Sequence, residues 1–133
     1  MPLQTGLVAV VAVAIGGASG SLLRWWIGGR LNPMHEALPV GTLLVNVGGG
    51  WLVGLAIGWF ASRPDLPEAW RLLAITGFLG GLTTFSTFSA EAAALLLQGR
   101  LGAMVLHGGA HTAGSLAATL VGLWMAKGWF GRP

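Results

Sequence analysis

The chain has no cysteine. It therefore has no disulfides, no thiolate metal ligands and no nucleophilic thiol. Charge is almost as scarce: Lys, Arg, Asp and Glu together make up 8% of the residues, where a soluble domain carries roughly a quarter. The seven basic residues outnumber the four acidic ones but are scattered along the chain. The basic pI is therefore no nucleic-acid footprint, which needs clustered charge. No nucleophile triad, phosphate-binding loop or paired-carboxylate motif is present, so the sequence points away from an enzyme. Met1 to Gly6 lack the positive charge that opens a secretory signal, and the first basic residue, Arg24, follows the first apolar run. The expectation is a retained membrane span rather than a cleaved leader.

What the chain has instead is apolar surface and glycine: 54% hydrophobic residues and 23 glycines in 133 positions. A single core of this size cannot take in so much apolar surface, and lipid must cover part of it. Four apolar runs meet the ~20-residue length needed to cross a bilayer: Gly6 to Gly28, Val40 to Ala61, Leu72 to Leu97 and Leu101 to Ala126. Pro39 marks the first loop, and the breakers and charges of Arg63-Pro64-Asp65-Leu66-Pro67-Glu68 mark the second. The very short third loop, Gln98-Gly99-Arg100, makes the last two helices antiparallel neighbours. The expected architecture is an all-α integral membrane protein: one domain over residues 1–133, with four transmembrane helices. Small residues at Gly16, Gly17, Gly20, Gly48, Gly49, Gly50 and Gly54 allow close helix contact. Trp25, Trp26, Trp59, Trp70, Trp124 and Trp129 fall near span ends, as interfacial anchors do.

The third run carries an unusual string, Gly77-Phe78-Leu79-Gly80-Gly81-Leu82-Thr83-Thr84-Phe85-Ser86-Thr87-Phe88-Ser89. Its paired glycines and threonines predict a broken helix. Carbonyls freed by such a break survive in lipid only when buried in protein or given a ligand such as a cation. Phe85 and Phe88, three apart on the resumed helix, share a face. The string reads as an ion site followed by an aromatic and hydroxyl-lined path.

Other polar residues inside the spans have two readings each. Asn46 serves either as a helix–helix hydrogen bond or as a functional amide. Arg24 either snorkels to the interface or draws anions to a vestibule. Glu91, the sole acidic residue within an apolar run, is a functional candidate whose burial protonation or nearby hydroxyls could also relieve. His107, His111, Ser115 and Thr119 recur every four residues, with Thr112 beside them, and form a polar stripe along the last span. The histidine pair has the spacing of a chelate, but no third ligand stands beside it in the sequence, so a polar track is the more economical reading.

If the spans alternate, Arg63, Arg71, Lys127 and Arg132 fall on one side and Arg24, Arg30 and Arg100 on the other. Four against three is a weak bias for a rule that orients proteins by asymmetry, and it permits insertion both ways.

Gly16-Gly17-Ala18-Ser19-Gly20 with Arg24, Pro39-Val40-Gly41-Thr42-Leu43-Leu44-Val45-Asn46 with Gly49, and Gly77 through Phe88 follow one another in the order and spacing of the Fluc (CrcB-type) small fluoride channels. The chain resembles that family over nearly its whole length. The resemblance implies a multi-pass protein of the cell (inner) membrane. It further implies an antiparallel, dual-topology homodimer with two pathways that export fluoride by passive electrodiffusion, and a structural sodium ion (Na+) at the dimer interface. Carried over, the sodium ligands are the backbone carbonyls of Gly80 and Thr83. Asn46, Phe85 and Phe88 stand beside the fluoride path, with the hydroxyls of Ser86, Thr87, Ser115 and Thr119 along it. Arg24 becomes a vestibule residue and Glu91 an accessory acid. His107 and His111 depart from the family pattern, where Asn, Ser or Tyr is expected. A competing reading is a proton-coupled exporter of the small multidrug type, which is expected to place a carboxylate in its first span. Here the first acidic residue is Glu36, outside that span. A merely structural membrane protein would leave the third-span string without a purpose.

Overall fold

The computed structural model describes residues 3–34 and 38–131. Met1, Pro2, Glu36 and Arg132, which enter the leader, acidic-residue and charge-balance readings, lie outside the described residues. Everything described is helix or connecting turn. In chain order these are α1 (Leu3–Leu31), a 3-10 turn at Asn32–Met34, α2 (Val40–Ala61), α3 (Glu68–Arg71), a π-wound segment (Leu72–Leu79), α4 (Gly80–Leu82), α5 (Phe85–Leu97) and α6 (Leu101–Phe130).

Three helical stretches are long and apolar enough to cross a membrane: Gly6–Leu31, Val40–Ala61 and Glu68–Leu97. At 30 residues α6 has the length, yet it is not among them. Its glycines and the row His107, His111, Thr112, Ser115 and Thr119 dilute its hydropathy. Leu7, Val10, Ile15, Leu22, Leu116 and Leu120 all face outward, the distribution expected where lipid rather than a protein core is the apolar solvent. The buried apolar cluster is correspondingly small, centred on Val45, Leu79 and Leu82.

Glycine seams hold the helices together. A Cβ on Gly20 would lie 2.0 Å from the Phe78 carbonyl oxygen, and one on Gly16 would lie 2.2 Å from that of Leu73. From the other side, a Cβ on Gly81 would lie 2.5 Å from the Gly17 oxygen. A side chain at any of these positions would push α1 off the third span. A second seam joins α2 to α6, where Cβ atoms on Gly54 and Gly122 would meet the Thr119 and Trp51 carbonyl oxygens at 2.2 and 2.3 Å. Along that seam Trp51 Nε1–H donates to Met125 Sδ at 3.4 Å. Close backbone approach through small residues is how membrane helices gain packing energy without a hydrophobic drive.

The third span does not run as one helix. Its first half widens, so that Gly80 N–H reaches back to the Ile75 carbonyl, five residues away. Such wide turns often accompany functional sites. Gly80 and Gly81 themselves stay helical, so of the paired glycines and threonines expected to break the helix only the threonines do so. Gly81 packs closely against Gly17 of α1, whereas Gly80 is exposed and a Cβ there would meet only the Ile75 oxygen, at 3.6 Å. The extended residues are Thr83 (φ −82°, ψ 154°) and Thr84 (φ −150°, ψ 119°). Thr84 then caps α5, its Oγ1 accepting from the Thr87 N–H at 3.1 Å. At the far end of α5, Gly99 takes a positive φ of 71° and reverses the chain into α6.

Candidate functional site

The break is clamped from α2. Asn46 Oδ1 accepts from the Thr84 N–H at 2.7 Å, and its Nδ2 donates to the Thr84 carbonyl at 2.9 Å. This two-point contact replaces the helical bonds that Thr84 gives up and fixes which way the amide points. The second Nδ2 hydrogen is directed at His111 Nδ1, 3.0 Å away. Neutral His111 therefore accepts at Nδ1 and carries its proton on Nε2. That Nε2 is buried with no hydrogen-bond partner among the described residues.

Carbonyls lose their helical partners at a break of this kind, and three of them can be followed here. The Gly81 oxygen accepts from Arg24 Nε at 3.0 Å, with Ser21 Oγ at a marginal 3.5 Å. Gly80 loses its helical donor because the Thr84 N–H is turned to Asn46. Thr83 loses its own because the Thr87 N–H goes to the Thr84 hydroxyl. The released oxygens of Gly80 and Thr83 are hard donors of the kind that unwound membrane helices offer to Na+. By donor chemistry they fit such an ion.

Two clefts meet at Thr84. The larger, about 390 Å³, is lined by Asn46, Phe85, Phe88, His111, Ser115 and Thr119, among others. The smaller, about 230 Å³, lies on the other side and includes Arg24, Asn32, Thr42, Thr84 and Thr87. Five of the seven expected path residues, Asn46, Phe85, Phe88, Ser115 and Thr119, thus share one cleft. Thr87 lines the other cleft, and Ser86 is exposed beside the cap, its Oγ 3.2 Å from Thr84 Oγ1. Thr119 donates to the Gly50 and Ser115 carbonyls at 3.0 and 2.9 Å, so its proton is held by backbone.

The aromatic pair is asymmetric. Phe85 is 78% exposed and its ring lies 5.5 Å from that of Phe88. Phe88 packs inward against His107 and His111, with ring centroids 5.2 and 4.7 Å away. Behind these rings runs a buried polar chain. Asn32 Nδ2 donates to Thr42 Oγ1 at 3.1 Å, and Thr42 Oγ1 donates to Glu91 Oε1 at 2.6 Å. Glu91 Oε2 then lies 3.4 Å from His107 Nε2.

Sequence reasoning singled out Asn46, Phe85, Phe88, Arg24 and Glu91, and named Thr84 only as part of the expected break, not as the residue both clefts share. It missed Thr42 and Asn32. The signal for Thr42 was its i, i+4 spacing to Asn46, which puts both on one face of α2. The third member of the histidine group, not visible beside the pair in sequence, is Glu91, brought in from α5.

A family model described as CrcB-like protein, Camphor Resistance (CrcB), matches residues 11–123. The chain belongs to the CrcB-like family. A relative from Cupriavidus pinatubonensis is 55% identical over 119 residues, covering 90% of this chain and 94% of the relative. One from Pseudomonas aeruginosa is 49% identical over 124 residues, covering 93% and 98%. One from Klebsiella pneumoniae is 50% identical over 114 residues, covering 86% and 90%. All three relatives carry the name fluoride-specific ion channel FluC. The CrcB-like assignment agrees with the resemblance read from the three motifs and with the view that this is not an enzyme. The clamp, the clefts and the aromatic pair all fall within the matched residues.

Proposed function

We propose that this CrcB-like chain is a fluoride-specific channel that lets fluoride leave the cell passively. The observation that carries the proposal is the Asn46–Thr84 clamp, which opens the third span beside a cleft lined by Phe85, Phe88 and polar side chains. In an ordinary membrane anchor such an opening would cost stability and gain nothing.

Fluoride is small and strongly hydrated, so entry into low dielectric requires replacement partners. The His111 Nε2–H, oriented by the Asn46 amide, is a donor without an acceptor among the described residues. Phenylalanine rims carry the positive part of the ring quadrupole and tolerate an anion where aliphatic groups do not. Asn46 acts mainly by holding Thr84 and setting the His111 proton, since both its Nδ2 hydrogens are engaged. Phe85 and Phe88 flank the anion, Ser115 and Thr119 line its cleft, and Ser86 and Thr87 extend the polar surface around the cap. Arg24 adds positive charge to the smaller cleft, and Glu91 holds the polar chain behind Phe88.

In this reading α6 is a fourth membrane crossing, its polar row turned to the path rather than to lipid. The functional unit is an antiparallel dual-topology homodimer in the inner membrane, with two pathways. The exposed Phe85 and the near-equal charge on the two sides support it. Gly80 and Thr83 of each chain would hold a structural Na+ at the interface, because two oxygens from one chain underfill a cation's shell. Bound there, the ion supplies fixed positive charge that lowers the cost of anions nearby.

The test is efflux from liposomes loaded with fluoride, followed by a fluoride electrode with the pH equal on both sides. Rapid efflux with chloride retained is expected; efflux that requires a proton gradient would reject the channel reading. Cysteines placed one at a time in the loop between α2 and α3 report orientation. Comparable labelled and protected fractions are expected in intact cells, and uniform labelling would reject dual insertion.

A further inference from the structure

We propose that Glu91, His107 and His111 form a site for a divalent transition metal of the zinc class, and that metal bound there stops anion passage beside Phe88. One ligand atom from each of the three side chains lies within 4.8 Å of the other two. His107 and His111 are one turn apart on α6, their ring centroids separated by 4.4 Å. Both are deeply buried, at 1% and 4% exposure. Each leaves Nε2 without a hydrogen-bond partner among the described residues, as does Glu91 at Oε2. Three buried polar atoms without hydrogen bonds, two of them facing each other at 3.4 Å, are rare in one place in folded proteins and point to a missing ligand.

The chemistry of the set narrows the ligand. Two imidazole nitrogens and one carboxylate oxygen suit zinc and its neighbours, and leave a fourth position open. Bonds of about 2.1 Å in a tetrahedron put neighbouring ligand atoms about 3.4 Å apart. His107 Nε2 and Glu91 Oε2 already stand at 3.4 Å. Glu91 is also held from behind by the Thr42 hydroxyl, itself held by Asn32, the kind of outer hydrogen bonding that fixes a ligating carboxylate. Rotation of the side chains closes the remaining gap to His111.

His111 couples the site to the path. The Thr84 backbone fixes the Asn46 amide, and the amide holds the His111 proton on Nε2. A metal needs the Nε2 lone pair. The ring proton must then move to Nδ1, where it meets the Asn46 NH2 group, so the ion and the Asn46–His111 hydrogen bond exclude each other. The metal-bound chain has lost the Nε2–H donor and carries an ion against Phe88. Binding stands apart from the channel reading; the block rests on it.

The test uses purified full-length protein and Zn2+ alone, titrated against a chromogenic chelator in the absence of fluoride. One Zn2+ per chain is expected, with affinity falling about tenfold or more in His107→Gln and in Glu91→Gln. His35→Ala, which removes the chain's other histidine, should leave it unchanged. Co2+ should give the intense visible bands of a tetrahedral centre, lost in His107→Gln. No binding, or binding that survives both His107→Gln and Glu91→Gln, overturns the site. Fluoride efflux is then compared with and without Zn2+ for each protein. Slowing by Zn2+ in wild type, with little slowing in His107→Gln, supports the block; wild-type flux indifferent to saturating Zn2+ overturns it. A protein that binds Zn2+ yet passes no fluoride even without metal supports the site while failing the channel reading.

Discussion

The two halves of the third span use small and polar residues in opposite ways. Before Thr83 the chain is wound wide, and its glycines at 77 and 81 lie against α1 with no room for a methyl group. After Thr84 the helix is regular but largely unpacked, with Phe85, Ser86, Ser89 and Ala90 exposed. The first half anchors, and the second half presents a surface. What separates them is one α2 side chain, Asn46, which takes both backbone groups of Thr84. Rigidity on one side of a break lets the other side stay exposed without the span unwinding further.

The largest effect should come from damaging the anchored half. Gly20→Ala forces a Cβ into the Phe78 carbonyl, and about 3 kcal/mol or more of stability should be lost as the helices part. Gly108→Ala on α6 is the matched control, because its Cβ would meet nothing within 4 Å. It should be neutral or stabilising by up to ~1 kcal/mol. Thermal unfolding in detergent compares them, and equal melting temperatures would break the distinction between seam and open face.

Removing the divider comes next. Asn46→Leu leaves the Thr84 N–H, the Thr84 carbonyl and His111 Nδ1 without partners, at an expected cost of about 2 kcal/mol. Hydrogen exchange should quicken at Thr84 and around α5 while the stretch from Leu72 to Leu79 stays protected. Uniform quickening along the whole span would show that the two halves are not separately held. The smallest effect is expected from Arg24→Met, which removes the Nε–H from the Gly81 carbonyl and should cost about 1 kcal/mol. Unchanged thermal stability would assign Arg24 to the smaller cleft alone.

Much of this organisation was legible in the sequence, for local reasons. The α2 boundaries agree residue for residue, because Pro39 and the Ser62–Pro64 region punctuate a continuous apolar run. The break was legible as a break, but its hinge was not. Paired glycines and threonines both look like weak points, and only the packing of α1 on Gly81 and the pairing of Thr84 with Asn46 show that the threonines are the ones that open. Partners distant in sequence were out of reach. Asn46 meets Thr84 across 38 positions and His111 across 65, and no periodicity links them. Glu91 and His107 come together only because Gly99 reverses the chain. The polar row on α6 was visible at once, and the same residues keep α6 below the apolar content of the three candidate spans.

In the proposed channel the second half of the third span borders the anion path through its aromatic rings. The most direct measurement is fluoride efflux from liposomes for Phe85→Ile and Phe88→Ile, each first verified as folded and of wild-type assembly. Isoleucine keeps much of the bulk and removes the positive ring edge. Each substitution should slow efflux about tenfold or more, equivalent to ~1.4 kcal/mol at the limiting barrier. Near wild-type efflux in both variants would contradict this.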